Sequence, residues 1–167
     1  PAQREEFDTS NECNFAISAT GVGRFRVSAF VQRNFAGMVL RRIETRIPVM
    51  EELGLPALLK DLSMGKRGII FLVGATGTGK STTQAAMIHH LNLTEGRHIV
   101  TIEDPIEYML EGVNQVQINE KVGLTFAKSL RSVLRQDPNV IFVGEMRDLD
   151  TIRTAISAAM TGHLVVT

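Results

Sequence analysis

With 167 residues, 44% of them apolar, the chain is long enough to bury a core and falls in the globular class. Lysine plus arginine and aspartate plus glutamate both total 18, so the formal charge is zero and no basic excess points to a nucleic-acid partner. A single cysteine, Cys13, excludes an internal disulfide framework, and neither a secretory signal nor an apolar run of membrane-spanning length is present, which fits a reducing cytoplasmic setting.

The chain opens on Pro1 rather than a methionine and stops at HLVVT inside a buried-strand pattern, so it reads as a piece of a longer protein. From Cys13 to Ile43 the pattern is that of short strands: CNFAIS, a turn at TGVG, RFRVSAFV with period-two alternation, a second turn near NFAG, then MVLRRI. An antiparallel meander is expected. In its second strand Phe25, Val27, Ala29 and Val31 point one way and Arg24, Arg26 and Ser28 the other, so two guanidinium groups share a face. Residues 44–67 change character: Pro48, Gly54 and Pro56 precede a helix-like run from Pro56 to Met64, and the stretch reads as a linker into a new domain.

From Gly68 the period alternates between β and α. Strand GIIFLV is followed by loop GATGTG, helix KSTTQAAMIHHLN, strand HIVTI, an edge strand near VNQVQI, helix TFAKSLRSVLRQ, strand VIFV, helix LDTIRTAISAAM and strand HLVV. Such alternation predicts a parallel sheet with helices on its faces. Thr125 and Asp148 stand where helix N-caps are expected, and Gly162 where a helix stops.

Gly74 to Ser81, GATGTGKS, fits G-x-x-x-x-G-K-[ST] with a β-rich run before it and a helix after it. Its glycines let successive N–H groups point inward, and the helix N-terminus adds positive charge, so a triphosphate finds a preformed anion site. The expected nucleotide-binding set is Gly74, Ala75, Thr76, Gly77, Thr78, Gly79, Lys80, Ser81 and Thr82, with Lys80 reaching the β and γ phosphates and Ser81 ligating Mg²⁺.

Hydrolysis needs a carboxylate for Mg²⁺ and another to orient or deprotonate water. Glu145, after strand NVIFV and Gly144, is the expected metal-side acid, and Glu107 in TIEDPIEY is the expected base, turned toward the strand ends by Asp104–Pro105. Glu103 is left as a supporting or metal-side carboxylate. The plainer alternative for these acids is a solvated loop with an N-cap. His163 either reads the γ phosphate or is a core histidine bonded to a backbone carbonyl. His89, His90 and His98 show no metal-ligand spacing, the methionines read as core or linker filler, and Cys13 as structural.

Taken together GATGTGKST, TIEDPIEY, VGEMRD and AAMTGHLVVT, in this order and spacing, resemble the Walker A, aspartate-box, Walker B and histidine-box motifs of the secretion ATPase superfamily, whose members power type IV pili and type II secretion. GRFRVSAFVQR and the linker with EELGLP resemble the end of the PAS-like N-terminal domain of the pilus retraction ATPases, the PilT and PilU types, whereas residues 108–143 look more like the assembly and type II secretion ATPases.

The resemblance implies an α/β, RecA-like P-loop ATPase core, truncated, over residues 68–167, a linker and short helix over 47–67, and the end of a PAS-like domain over 1–46. It implies Mg-dependent conversion of ATP to ADP and phosphate. Lys80 and Ser81 would bind phosphate and Mg²⁺, Glu145 would hold Mg²⁺ partly through water, and Glu107 would be the general base. His163 matches the first histidine of the histidine box, a γ-phosphate sensor candidate. Arg24, Arg26 and Arg33 are the candidates to close on ATP lying between the two domains of a homohexamer. The implied partner is an inner-membrane platform protein of a pilus or secretion machine, with the motor cytoplasmic and peripheral to that membrane, no zinc in this stretch and no nucleic acid. Pilus retraction, or twitching motility, is the favoured role. An assembly or type II secretion ATPase is the alternative, and an ATP-binding regulatory subunit with little turnover is an alternative of another class. A RecA-like DNA translocase is disfavoured by the neutral charge and the lack of a basic, aromatic-rich strand-binding loop.

Overall fold

The computed structural model describes residues 2–43 and 46–167, and the chain divides into two compact units, residues 1–46 and 47–167. Glu44 and Thr45, where the linker character begins in the sequence, and Pro1 lie outside the described residues.

The first unit is a helix α1 (Ala2–Ser10) and an antiparallel sheet of β1 (Glu12–Ala19), β2 (Gly23–Gln32) and β3 (Phe35–Ile43) in that order. Arg33 and Asn34 both have positive φ, 50° and 64°, and Gln32 pairs with Phe35, so a two-residue hairpin turn joins β2 to β3. The third strand therefore begins at Phe35, ahead of the MVLRRI read from the sequence. Asn34, tolerant of the left-handed region, sets the turn rather than Gly37. Cys13 and Val27 are buried on one face of the sheet, where the Cys13 thiol faces the Glu6 carboxylate of α1 at 3.7 Å. Helix α1 was not foreseen, because AQREEFDTS carries no apolar stripe; Phe7 is its one large apolar residue.

The second unit holds α2 (Leu58–Ser63), β4 (Gly68–Ile70), α3 (Lys80–Thr94), β5 (Ile99–Glu103), β6 (Asn114–Gln117), α4 (Phe126–Val133), β7 (Val140–Val143), α5 (Leu149–Met160) and β8 (Leu164–Val166). Its five strands are all parallel, in the order β4-β8-β7-β5-β6. Alternation along the buried strands divides the core in two. Val100, Ile102, Ile141, Val143 and Val165 pack with Leu130, Val133, Ala155 and Ala158 of α4 and α5. Ile99, Val140, Phe142, Leu164 and Val166 pack with Ile88 and Leu91 of α3 on the other face. Within residues 47–67, read as a linker and short helix, Met50 is buried with Ala86 and Met87 of α3, and Leu53, Leu55 and Leu59 pack against them.

Strand β4 is shorter than the GIIFLV pattern, although pairing continues as Thr167 N–H donates to Ile70 O and Leu72 N–H to Thr167 O. Thr125 caps α4 by accepting from Lys128 N–H, and Asp148 caps α5 by accepting from Thr151 N–H at 2.8 Å and the Thr151 hydroxyl at 2.6 Å. These bonds hold the Asp148 carboxyl below its ordinary pKa.

Candidate nucleotide site

Because every strand of the second sheet runs the same way, the segments after β4, β5 and β7 all emerge at its carboxyl edge, where open α/β sheets bind ligands. The chain leaves β4 into the loop Gly74–Gly79 and enters α3 at Lys80. Gly79 is the residue before the helix and has φ of 92°, a conformation that side-chain-bearing residues rarely adopt. Thr78 braces the loop by donating its hydroxyl to Ala75 O at 2.8 Å. Lys80 Nζ donates to Gly74 O and Ala75 O, both at 2.8 Å, which keeps the ammonium over the loop.

The segment after β7 comes close to β5. Gly144 N–H donates to Ile102 O at 2.8 Å, and a Cβ on Gly144 would stand only 3.2 Å from that same oxygen. Glycine is what permits the approach. Glu145 follows, half-buried, with its carboxylate 2.8 Å from the exposed Arg147 guanidinium. Gly74, Lys80, Gly144 and Glu145 together line one cavity of about 370 Å³, floored by Phe71, Leu72, Met146 and Ile152.

The segment after β5 is organised by Glu103, which is 9% exposed. Its Oε1 accepts the Thr101 hydroxyl at 2.6 Å and Gln115 Nε2 at 3.0 Å, and its carboxylate also accepts the Glu107 N–H. Burial raises the Glu103 pKa, against the lowering effect of those donors. Gln115 in turn donates to Tyr108 O and accepts Leu110 N–H, so one amide from β6 fastens both strand end and loop. The Asp104–Pro105 peptide is cis. Glu107 is exposed, and its neighbour Tyr108 brings its hydroxyl within 3.4 Å of Thr82 Oγ1 in the first turn of α3. The loop bearing Glu107 is thus fastened to the helix that bears Lys80, Ser81 and Thr82.

His163 is placed at another point of the second unit, and the three candidate arginines belong to the first unit. His163 sits at the start of β8, where its carbonyl accepts Gly68 N–H from the start of β4, and its Nδ1 lies 3.1 Å from Ala158 O. That is the opposite end of these strands from Gly74–Ser81, and the structure does not bring His163 to the loop within this chain. Arg24 and Arg26 lie on β2 and Arg33 in the β2–β3 turn, all in the first unit. Arg26 stands directly across from Arg41 of β3. Among the described residues Arg24, Arg26 and Arg41 have no carboxylate partner.

The roles of Gln115 and Tyr108 were not legible in the sequence. Parallel register sets Gln115 opposite Thr101, and a single sequence does not disclose register.

A phosphate loop at the carboxyl edge of a parallel sheet, with acids after two neighbouring strands, defines a P-loop nucleotide-binding core of RecA-like type. Residues 11–167 match the family described as Type II/IV secretion system protein, and the chain belongs to that family. It is 54% identical over 165 residues to the type IV pilus ATPase PilU of Pseudomonas aeruginosa, covering 97% of this chain and 43% of that protein. It is 50% identical over 167 residues to the type IV pilus retraction ATPase PilT of the same organism, covering 98% of this chain and 48% of that one. The crystal structure of the pilus retraction motor PilT with bound ADP matches at a TM-score of 0.91 and 46% identity, over 99% of this chain and 49% of that one. The chain spans about half the length of the curated relatives it matches.

Proposed function

We propose that the protein carrying this chain hydrolyses Mg-ATP to ADP and phosphate and that hydrolysis drives retraction of a type IV pilus. The observation that supports this most is the cavity shared by Gly74, Lys80, Gly144 and Glu145, beside which Tyr108 fastens the Glu107 loop to the first turn of α3. The loop N–H groups and Lys80 bind the phosphates, and Glu107 accepts the proton of the attacking water.

Mg²⁺ fits the donors available. Among the described residues no group of three or more His, Cys, Asp or Glu makes a protein cage, and Mg²⁺ is ordinarily held by one or two protein oxygens together with phosphate and water. Ser81 and Glu145 would hold it, the carboxylate partly through water. When bound, the ion neutralises charge on the phosphates.

In this reading residues 1–46 are the end of a PAS-like domain, and Arg24 and Arg26, which have no carboxylate partner among the described residues, supply positive charge with Arg33 to the phosphates in a homohexamer. The motor works against an inner-membrane platform protein from the cytoplasmic side. Among the described residues no helix is long and apolar enough to cross a membrane.

The first test is nucleotide affinity of the full-length protein. Lys80→Ala should weaken binding of a fluorescent ATP analogue by about tenfold to a hundredfold, the worth of a charge-assisted hydrogen bond, and unchanged affinity would remove the phosphate-loop reading. Direction of work is tested in cells. A strain lacking the protein should keep its surface pili and lose twitching, whereas loss of the pili themselves would replace retraction by assembly.

A further inference from the structure

Gln84 lies one helical turn beyond Lys80, on the same side of α3. It is only 3% exposed, yet it lines the same cavity as Lys80 and Glu145. Among the described residues its carboxamide has no hydrogen-bond partner, and it is not sealed from solvent as the Ser129 hydroxyl is. The amide therefore faces the cavity. Core positions on such a helix ordinarily carry apolar residues, and here Ala85, Ala86, Met87 and Ile88 follow Gln84 into the core. Around the cavity the other side chains with polar ends are Lys80, Glu145 and Thr167, set among Phe71, Leu72, Val73, Met146 and Ile152.

A carboxamide accepts through its oxygen and donates through its nitrogen at the same time. Between an ammonium and a carboxylate it serves both. Glu145 has a competing partner on its outer side, Arg147, whose side chain is 82% exposed.

We propose that Gln84 is a positioning residue for Glu145: its amide donates, directly or through one water, to the Glu145 carboxylate, turning it from Arg147 into the cavity, while its oxygen accepts from Lys80. The inference rests on the Mg-ATP reading above, and it concerns how Glu145 is made ready for the metal. Outer partners of a metal-holding carboxylate commonly change metal affinity by about ten- to a hundredfold.

The test uses the full-length protein and binding of a fluorescent ATP analogue titrated with Mg²⁺, alongside hydrolysis. Gln84→Met keeps length and removes the polar atoms. It should raise the Mg²⁺ concentration for half-maximal binding by about tenfold, leave the KM for ATP at saturating Mg²⁺ unchanged, and leave thermal stability equal or higher. Adding Arg147→Ala to Gln84→Met should return the Mg²⁺ requirement to near the wild-type value, because the competitor is gone. An unchanged Mg²⁺ requirement in folded Gln84→Met overturns the proposal and makes Gln84 a core filler. If Gln84→Met and Gln84→Leu both lose stability, Gln84 is a structural hydrogen bonder and the proposal is again overturned. Wild-type protein whose nucleotide binding is indifferent to Mg²⁺ overturns the underlying site reading instead.

Discussion

The ends of β5 and β7 are neighbours in the sheet, and each carries an acid at its carboxyl edge, but their surroundings differ. At β5 the first acid, Glu103, is nearly inaccessible and receives the Thr101 hydroxyl, the Gln115 amide and the Glu107 N–H. At β7 the first acid, Glu145, follows a glycine, opens on the cavity and meets the exposed end of Arg147. A carboxylate bound on all sides fixes the chain around it; one held by a single exposed partner is free to exchange that partner for a cation. In the proposed reading the two strand ends divide the work, with β7 offering its first acid to the reaction and β5 using its first acid to aim a later one, Glu107.

Breaking that division at β7 should have a large effect. Glu145→Gln in the full-length protein should lower hydrolysis by about 10²- to 10³-fold, with nucleotide binding in the absence of Mg²⁺ unchanged. Steady-state rates beside equilibrium binding check this, and a rate within tenfold of wild type would return Glu145 to the status of a surface acid.

A smaller effect is expected from Gly144→Ala. Its Cβ would press on the Ile102 carbonyl, a backbone atom at the neck between the two strand ends, so overpacking should cost about 1–3 kcal/mol. Thermal unfolding of the full-length protein reads this, and an unchanged midpoint would mean the neck is looser than drawn.

Smaller still is the pH response of Glu103→Gln. The Glu103 pKa is raised above its usual 4.5, so ionising it opposes folding; the contribution is fully present below that value and is lost as pH rises through the folded-state pKa. Glutamine can keep accepting from Thr101 and Gln115 without titrating. The midpoint of the variant relative to wild type should therefore improve as pH rises from 4 to 8. A difference that is flat or falls with pH would contradict the buried-acid assignment.

Much of the second sheet was legible because its strands are continuous apolar runs and its helix starts carry Thr125 and Asp148, whose capping bonds are local chemistry. The phosphate loop was legible for the same reason: its residues act within eight positions of one another. What was not legible depends on register and burial. The turn at Arg33–Asn34 needed two successive left-handed residues, for which Gly37 gave a misleading cue. Glu103 could be read in TIEDPIEY only as a supporting or metal-side carboxylate, and its burial and its bond from Gln115 appear only once the parallel pairing of β5 with β6 is known. Gln84 was not singled out in the sequence, although its spacing from Lys80 sets it on the same side of α3.

The most direct test of the central claim compares Mg-ATP binding and hydrolysis in full-length wild-type and Glu107→Gln proteins. If Glu103 and Gln115 serve to aim Glu107 at the water, the variant should bind Mg-ATP with wild-type affinity and hydrolyse it about 10²- to 10⁴-fold more slowly. Wild-type turnover by Glu107→Gln would contradict the account.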